Sequence, residues 1–527
     1  MGELLAYLND ILGTPYTLDM PGLQLCLEHA HHTLPDLGQL YGTLRPWWTG
    51  DFTQTLSRII ARRDEVQRKR DEAIDRSCIQ NSQIPPRRVW DLLSNRVLPF
   101  HILPPPKRDN FDLPENLWTV SHSWVDEKDR AGVMTAINGR QWPVPIPRQT
   151  TLDHIRVELL NMGAEYVWLD VLCLRQEGSV DENRRLEEWK LDVPTIGHIF
   201  QASRGPCITY FNGLSLPLDT SPATLQSIRH WSKRVWTLQE SLNTWLPGGL
   251  TADPGADSSK VFDGLNGLLK QSRVSPAIFE DLRTRHCTTE LDRIAGLAYK
   301  LGSKTLPLYD RTAPVEYAWT LLIKHMDAEE RTLFFLRYAP DAPFGLWRSW
   351  EGLLTSESAL RSPRITGSEA LQLVDELQLY TDAPGQYHHT GYALGPCHIT
   401  RSAKTLHLHF EDATNPVTMR IIAGNGIFLP TVAYTLLGLG SRGKQHWVAM
   451  EVVGERQVQG EATLEAVKWG VFYVSRKEAV QLVKLEGHDH TRVIYLSSEE
   501  ALKRSNHVDE YMKAFEEARD GKGENTT

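Results

Sequence analysis

Two short apolar runs that end abruptly in polar residues limit the fold of this chain more than any other feature. The first is LWTVSHSWVDE at residues 117–127, and the second is EYVWLDVLCLRQE at residues 165–177. A buried parallel strand has this pattern where its carboxyl end opens onto a crevice. A third segment, RVWTLQE at residues 234–240, is typical of a helix start that brings the Glu240 carboxylate to the same place. Together the three segments predict a crevice at one edge of a parallel sheet.

Strand and helix patterns alternate through this part of the chain. LWTVSH, YVWLDVLCL and CITYF are the predicted strands. TLDHIRVELLNMGA is a predicted helix with Thr151 near its cap and Gly163 at its end. DENRRLEEWKLDV, IGHIFQAS and WSKRVWTLQESLNTWL also have helical patterns. The alternation predicts a small parallel-sheet α/β domain over residues 111–255.

The flanking regions have other patterns. Residues 1–110 are predicted to be helical and to end in a proline-rich, extended linker, so that the first strand of the central domain begins only after it. Residues 256–345 are predicted to be helical, and residues 346–500 to form a β-rich domain, because short β-branched runs alternate there with Gly, Asn, Ser and Pro. Residues 501–527 are predicted to be a charged helical tail with a disordered end.

Composition limits the classes of partner. Among the 527 residues, 57 Lys and Arg stand against 66 Asp and Glu, and the resulting net charge of -9 argues against a general nucleic-acid binder. The one dense basic run, at residues 61–72, alternates with acids and is predicted to be a solvated helix face. The chain shows no signal-peptide pattern and no apolar run near the ~18 residues that a spanning helix needs. We therefore expect a cytoplasmic protein that binds neither nucleic acid nor membrane.

Metal and dinucleotide motifs are weak. The six cysteines never fall in CxxC spacing, which suggests neither a zinc site nor a disulfide framework. His407 and His409 share a strand face, and His488 and His490 lie close together, but no third ligand accompanies either pair. GLGSRG at residues 438–443 matches GxGxxG, yet KQHWVAMEVV follows it instead of a helix, so a hairpin turn is predicted. We expect no metal and no bound cofactor.

The candidate site residues come from the three opening segments. Taken singly, each has an ordinary structural explanation, since a Trp is more often core and a carboxylate near a strand end often caps a loop. Their convergence on one crevice favours function. Glu240 is the candidate catalytic residue, and the candidate pocket residues are Ser121, His122, Trp124, Asp170, Cys173, Arg175, Gln176, Arg234 and Trp236.

The same three segments resemble the signature blocks of the fungal heterokaryon incompatibility (HET) domain. Its members show an LSHxWG-like block, a W-I-D-x-L-C-I-x-Q block and an RxWTLQE block, in this order. The resemblance covers about residues 113–249, and RHCTTELDRIAGLA at residues 285–298 is similar to text that follows such domains. One departure is Val125 and Asp126, where many members have Gly after the Trp. A differently shaped loop is therefore expected there.

The resemblance implies a role in programmed cell death or growth arrest after fusion of genetically unlike hyphae. HET domains are also similar to Toll/interleukin-1 receptor (TIR) domains, of which the enzymatic members cleave NAD at the nicotinamide bond with a Glu four residues after a Trp. Trp236 and Glu240 have that separation. By this likeness NAD is a substrate, Glu240 is catalytic, Trp124 or Trp236 stacks on a ring, and the other pocket residues line the site or hold its loops.

Nicotinamide is a neutral leaving group and needs no general acid, so a single carboxylate can suffice for NAD cleavage. Three alternatives stay open. Glu240 can be an exposed or capping carboxylate, with Arg234 pairing structurally with Asp170. The chain can be a non-enzymatic signalling or scaffold protein that forms a homo-oligomer and binds an unknown protein partner or sensor through its β-rich region. It can also be a silent paralogue with neither output.

Overall fold

A mixed α/β unit and a β-rich unit make up the part of the chain that the structure, a computed structural model, describes. The first unit falls within residues 1–325 and the second within the residues after them. The described residues are 1–326, except 35, 77, 106–112, 220, 241–244, 251–281, 283–284 and 304, and 380–514, except 384–385, 403–404, 411–416, 427, 439–445, 459–460, 486–489, 497–503 and 511–512. The helix predicted at residues 261–271 and most of the predicted tail lie outside them.

The first unit is built around a mixed sheet with the strand order β10-β9-β5-β8-β3-β4. β10, β9, β5 and β8 run parallel to one another, whereas β3 is antiparallel to both β8 and β4. The parallel core places the ends of β5 and β8 at the same edge of the sheet, as the two apolar runs predicted. The strands are β3 (Arg88–Asp91), β4 (Arg96–Pro99), β5 (Leu117–His122), β8 (Tyr166–Trp168), β9 (Cys207–Tyr210) and β10 (Trp245–Pro247).

Two of these strands lie where the prolines predicted an extended linker, so that prediction is wrong. β3 and β4 form a hairpin that joins the sheet before residue 110. β4 is the edge strand, and Pro99 is its last residue. A missing N–H is tolerated at an edge because no neighbouring strand needs it.

Helices pack on both faces of this sheet. Ile155 and Leu159 of α5 join a buried cluster with Val120, Val167 and Ile208, which come from three parallel strands. Thr151 caps α5 by accepting from the backbone N–H of His154, and Gly163 follows the helix with a φ of +95°. The helices of the first unit are α1 (Gly2–Leu12), α2 (Leu23–Thr33), α3 (Leu37–Leu44), α4 (Thr55–Ala73), α5 (Leu152–Asn161), α6 (Asp170–Cys173), α7 (Glu182–Asp192), α8 (Ile196–Ala202), α9 (Pro222–Gln226), α10 (Glu290–Lys300) and α11 (Val315–His325).

Two predicted elements of the central domain differ in the structure. YVWLDVLCL is a strand only as far as Trp168, and the turn of helix α6 follows. The apolar residues of this segment are buried both in the strand and in the helical turn, so their pattern could not distinguish strand from helix. WSKRVWTLQE forms two 3₁₀ turns, Trp231–Lys233 and Trp236–Leu238, instead of an α-helix. Trp245 and Leu246, the last two residues of that predicted helix, belong to strand β10.

Shorter elements complete the first unit. The strand order β1-β2-β11 forms one small sheet, and β6 and β7 form an antiparallel pair. In α4, Arg70 is 5% exposed, so the helix face predicted to be solvated is partly buried. These strands are β1 (Ile74–Asp75), β2 (Cys78–Ile79), β6 (Arg130–Val133), β7 (Val144–Pro147) and β11 (Leu306–Pro307).

The second unit is a mainly antiparallel sheet in which β13 pairs with both β14 and β16, so that the strand order β13-β14-β15-β18-β17-β16 closes on itself. Trp447, Trp469 and Phe472 lie in its buried cluster with Leu482 of α12 (Arg476–Leu485). The strands are β12 (Tyr380–Ala383), β13 (Gln386–Ser402), β14 (Thr405–Phe410), β15 (Val417–Gly426), β16 (Tyr434–Gly438), β17 (His446–Val458), β18 (Glu461–Tyr473) and β19 (His490–Leu496).

The strands that flank GLGSRG pair in antiparallel register. Gly438 of β16 lies opposite Trp447 of β17, an arrangement that suits a hairpin and provides no helix N-terminus for a pyrophosphate. Residues 439–445 themselves lie outside the described part. In the part of the chain that the structure describes, no helix is both long and apolar enough to cross a membrane.

We expect Gly249→Ala to destabilise the first unit more than Gly13→Ala. Both glycines have a left-handed φ, +72° and +65°, which costs about 1 kcal/mol for alanine. A Cβ at Gly249 would lie 2.0 Å from the carbonyl oxygen of Leu216, whereas a Cβ at Gly13 meets nothing within 4 Å. The Gly249 variant should therefore lose at least about 2 kcal/mol more, as measured by urea denaturation. Equal losses would contradict the close approach.

Candidate functional site

The candidate site lies at the carboxyl edge of the parallel strands. Ser121 and His122 are the last two residues of β5, and Asp170 comes two residues after the end of the parallel neighbour β8. Successive side chains of a strand point to opposite faces, so Ser121 and His122 contact different partners. Backbone pairing continues past β5, because the Ser123 N–H donates to the carbonyl oxygen of Tyr210 at 3.0 Å. The sheet therefore fixes the positions of both side chains.

Ser121 joins the first motif to the third. Its hydroxyl donates to the Glu240 carboxylate, and it accepts a hydrogen bond of 2.6 Å from Trp231 Nε1. Ser121 is 1% exposed, whereas Glu240 is only partly buried. The hydroxyl therefore both donates and accepts, and this fixes which way it points. Glu240 is held at the strand edge by a buried donor while part of the residue stays accessible.

His122 joins the first motif to the second. Its Nε2 lies 2.8 Å from Asp170 Oδ1, and the other carboxylate oxygen accepts from Trp124 Nε1 at 3.3 Å. The rings of His122 and Trp124 are stacked with centroids 5.8 Å apart. Burial lowers the pKa of His122, but the Asp170 carboxylate outweighs it, so the net shift is upward. The pair places a cation and an anion together beside Glu240.

Arg285 holds the turn that contains RVWTLQE. Its Nη1 donates to the carbonyl oxygen of Arg234 at 2.9 Å and to the Thr237 hydroxyl at 2.8 Å. The backbone N–H of Val235 donates to the carbonyl oxygen of His286 at 3.1 Å, outside the turn. The Arg234 carbonyl and the Val235 N–H are backbone groups that an α-helix would use for its own ladder. These bonds explain why 3₁₀ turns replace the predicted helix and still bring Glu240 to Ser121.

Glu240 has the most perturbed carboxyl group of the site. Desolvation is the largest cause and raises its pKa to about 7, and the negative charge of Asp170 adds to the rise. The hydrogen bond from Ser121 and the positive charges of His122 and Arg285 act in the opposite direction. A carboxyl group with a pKa near neutrality in such surroundings is typical of catalytic sites, and structural networks produce it as well.

Three arginines lie around Trp124 and the RVWTLQE turn. The guanidinium of Arg130 lies 5.1 Å from the ring centroid of Trp124, and Arg229 forms an ion pair of 2.5 Å with Asp126. Arg234 is 8% exposed, and burial is the main cause that lowers its pKa, with Arg229 and Arg130 adding to it. Its guanidinium has no hydrogen-bond partner among the described residues and does not pair with Asp170. Asp126 therefore neutralises Arg229, whereas Arg130 and Arg234 form no ion pair with a described residue.

Four predicted site residues support the site or lie apart from it. Gln176 Nε2 donates to the backbone carbonyl of Asp170 at 3.2 Å, which holds α6 in place. Burial raises the pKa of the Cys173 thiol to about 12, so it is a poor nucleophile. Arg175 binds Gln141 and Glu188. Trp236 packs on Tyr309, and no hydrogen bond or ring contact joins it to Ser121, Asp170 or Glu240.

Sequence reasoning missed three residues that shape the site. Trp231 binds Ser121, Arg130 lies over Trp124, and Arg285 fixes the third motif. Trp231 lies just before RVWTLQE, and Arg285 begins the RHCTTELDRIAGLA segment. Trp231 therefore lies close to, and Arg285 lies within, a segment that carries the HET resemblance. Arg130 has no such signal, since it is the first residue of the short strand β6 and belongs to no motif.

Comparison with known proteins adds no relative. No protein-family model matches the chain, and no curated protein or solved structure does so at a significant level. Within the described residues, no cluster of three or more His, Cys, Asp or Glu side chains could hold a metal ion. The HET and TIR resemblance therefore stays a prediction from the three sequence blocks.

We expect Glu240→Gln to change how stability depends on pH. The folded-state pKa of about 7 lies above the ordinary 4.5, so ionising Glu240 costs folding energy. The contribution of Glu240 to the free energy of unfolding is therefore fully present below pH 4.5 and is lost as the pH rises through 7. The wild-type chain should lose up to about 3 kcal/mol relative to the Gln variant over this range, at about 1.4 kcal/mol per pKa unit.

Urea denaturation at about pH 5 and about pH 8 measures this difference. Glu177→Gln is the matched control, because it removes a carboxylate whose side chain is 72% exposed and which pairs with Arg311. The difference in free energy of unfolding between the wild-type chain and Glu240→Gln should therefore change with pH. A constant difference would show that ionising Glu240 costs no folding energy, which contradicts its desolvation.

Proposed function

We propose that this chain is a HET-domain effector whose TIR-like α/β unit cleaves NAD at the nicotinamide glycosidic bond. The observation that supports it most is the meeting of three separate sequence blocks at one sheet edge, where Ser121 binds Glu240 and His122 binds Asp170. Open α/β sheets bind ligands outside the carboxyl ends of their strands. The position suits a small-molecule site, and the carboxylates suit a reaction with a cationic transition state.

In the proposed reaction Glu240 stabilises positive charge at the sugar. The bond from the ribose C1′ to the pyridinium nitrogen breaks, its electron pair goes to that nitrogen, and nicotinamide leaves as a neutral molecule. The ionised Glu240 carboxylate lies beside the oxocarbenium-like ribose, and water then adds to C1′ and gives up a proton. No acid is needed for the leaving group, so one reacting carboxylate suffices. Asp170 acts by orienting His122 and Trp124.

The rest of the proposed substrate matches the neighbouring charges. NAD carries a diphosphate, and Arg130 and Arg234 provide guanidinium groups around Trp124 and the RVWTLQE turn. Guanidinium groups bind phosphate oxygens through paired N–H donors. Arg234 suits this role because its guanidinium makes no hydrogen bond or ion pair with a described residue, although the charge of Asp292 acts on it. Trp124 is partly exposed and already packs on His122 and Arg130, whereas Trp236 packs on Tyr309. Ring stacking is therefore assigned to the part of Trp124 that stays accessible.

A second candidate function is a non-enzymatic scaffold that acts by self-association. The observation that favours it is that polar groups of the site already bond one another. Ser121 is 1% exposed, and His122 is bonded at both ring nitrogens. In that case the Ser121 and Glu240 pair joins the motifs and touches no substrate. Toxicity that survives Glu240→Gln and is lost when an oligomer interface is disrupted would favour the scaffold.

We expect the full-length chain to release nicotinamide from NAD and the Glu240→Gln variant to do so at least about 100-fold more slowly. Because only the ionised carboxylate stabilises the cation, kcat/KM should rise with pH and level off above about pH 7, the pKa of Glu240. Nicotinamide release measured by chromatography across this pH range tests both points.

Glu177→Gln should keep activity within about twofold of the wild-type value, since its carboxylate is exposed and pairs with Arg311. Circular dichroism and thermal denaturation show whether each variant is folded. Equal turnover by the wild-type chain and a folded Glu240→Gln variant would remove Glu240 from the catalytic role. Absence of turnover by both, including after induced oligomerisation, would leave the scaffold as the better function.

A further inference from the structure

A cationic cavity lies in the first unit, apart from the residues of the candidate site. Its volume is about 340 Å³, within the range of small-molecule sites. α4, the β3–β4 hairpin, the segment before β7 and α7 all contribute to its wall. Arg63, Arg70, Arg87, Arg88 and Arg184 line it, together with neutral polar and apolar residues. None of the lining residues is acidic.

Two carboxylates behind the wall neutralise only part of this charge. Asp192 accepts from Arg70 and from Arg87 Nε, the latter at 2.8 Å. Glu188 binds Arg88 at 2.7 Å and Arg184 at 3.2 Å. Arg63 pairs with a third carboxylate, Asp64, at 2.9 Å. Five lining arginines therefore face three carboxylates, and Glu188 is also shared with Arg175 outside the cavity, so the lining keeps an excess of positive charge.

Two buried polar atoms of the lining are also unsatisfied. Arg70 Nε and Asn138 Oδ1 have no hydrogen-bond partner in the part of the chain that the structure describes. Both residues are deeply buried, at 5% and 4% exposure. Buried polar groups are nearly always bonded, so the described chain leaves a donor at Arg70 and an acceptor at Asn138 unsatisfied beside the cavity.

We propose that this cavity binds a small metabolite with two or more phosphate groups. Phosphate oxygens accept from Arg70, Arg87 and Arg88 in the interior and from Arg63 and Arg184 at the rim, and a ligand hydroxyl donates to Asn138. Trp142 offers no ring face to a base, because it is 1% exposed and Arg88 and Arg175 already pack on it. The ligand is therefore a phosphorylated sugar or polyol, and nucleotides are disfavoured. This site does not depend on NAD cleavage.

The test is calorimetric titration of the full-length chain with fructose bisphosphate, with inorganic tripolyphosphate in a parallel titration. The double variant Arg63→Gln and Arg184→Gln should weaken binding of fructose bisphosphate at least tenfold. Both side chains are largely exposed, at 55% and 60%, so the fold should tolerate the change. Stronger binding of the sugar bisphosphate than of tripolyphosphate at equal charge would support the hydroxyl contact with Asn138.

Arg68→Gln is the matched control, because Arg68 lies on the same helix, is 59% exposed, pairs with Glu72 and does not line the cavity. This variant should bind within about twofold of the wild-type chain. The proposal is overturned if neither phosphate compound binds the wild-type chain. It is also overturned if the double variant binds as tightly as Arg68→Gln. That result would mean that the phosphate compounds bind surface arginines in general and not the cavity.

Discussion

The candidate site depends on the hydrogen bonds that Arg285 makes to the RVWTLQE turn. One guanidinium nitrogen binds the carbonyl oxygen of Arg234 and the hydroxyl of Thr237, and this fixes where the chain goes next. Glu240 follows three residues later and reaches Ser121, which the sheet has already placed. The backbone bond from Val235 to His286 holds the same turn from the neighbouring residue. A residue far along the sequence therefore sets the geometry of the site.

That geometry also sets the chemistry. Glu240 is brought beside Asp170 and the apolar end of the sheet, so its charged form is disfavoured by lost hydration first and by repulsion second. Ser121, His122 and Arg285 keep enough favourable contact that ionisation still occurs near neutrality. A carboxylate fully paired with an arginine would be more stable and less reactive. This balance between desolvation and favourable contacts suits Glu240 in the proposed reaction, where its negative charge is needed when a cation forms beside it.

Sequence pattern predicted the parts of the fold that depend on local apolar runs. The three parallel strands, α5 with its Thr151 cap and the β-rich second unit all follow from periodicity and turn residues. The β3–β4 hairpin was missed because Pro99 lies on an edge strand, a fact that only the sheet order reveals. The 3₁₀ turns and the places of Trp236 and Arg285 depend on contacts between distant segments, which no local pattern encodes.

The net charge of -9 describes the chain poorly at the scale of its sites. Arginines concentrate at the rim of the candidate site and again in the cavity beside α4 and α7. Both places rest on α6: Asp170 faces the candidate site, while Trp142 Nε1 of the cavity lining donates to Val171 at 3.1 Å. Arg88 approaches the carbonyl oxygen of Cys173 at 3.4 Å. The single turn of α6 thus supplies the Asp170 carboxylate of the candidate site and the backbone carbonyls that hold Trp142 and Arg88 of the cavity. The two sites are therefore supported by the same element, although they would bind different ligands.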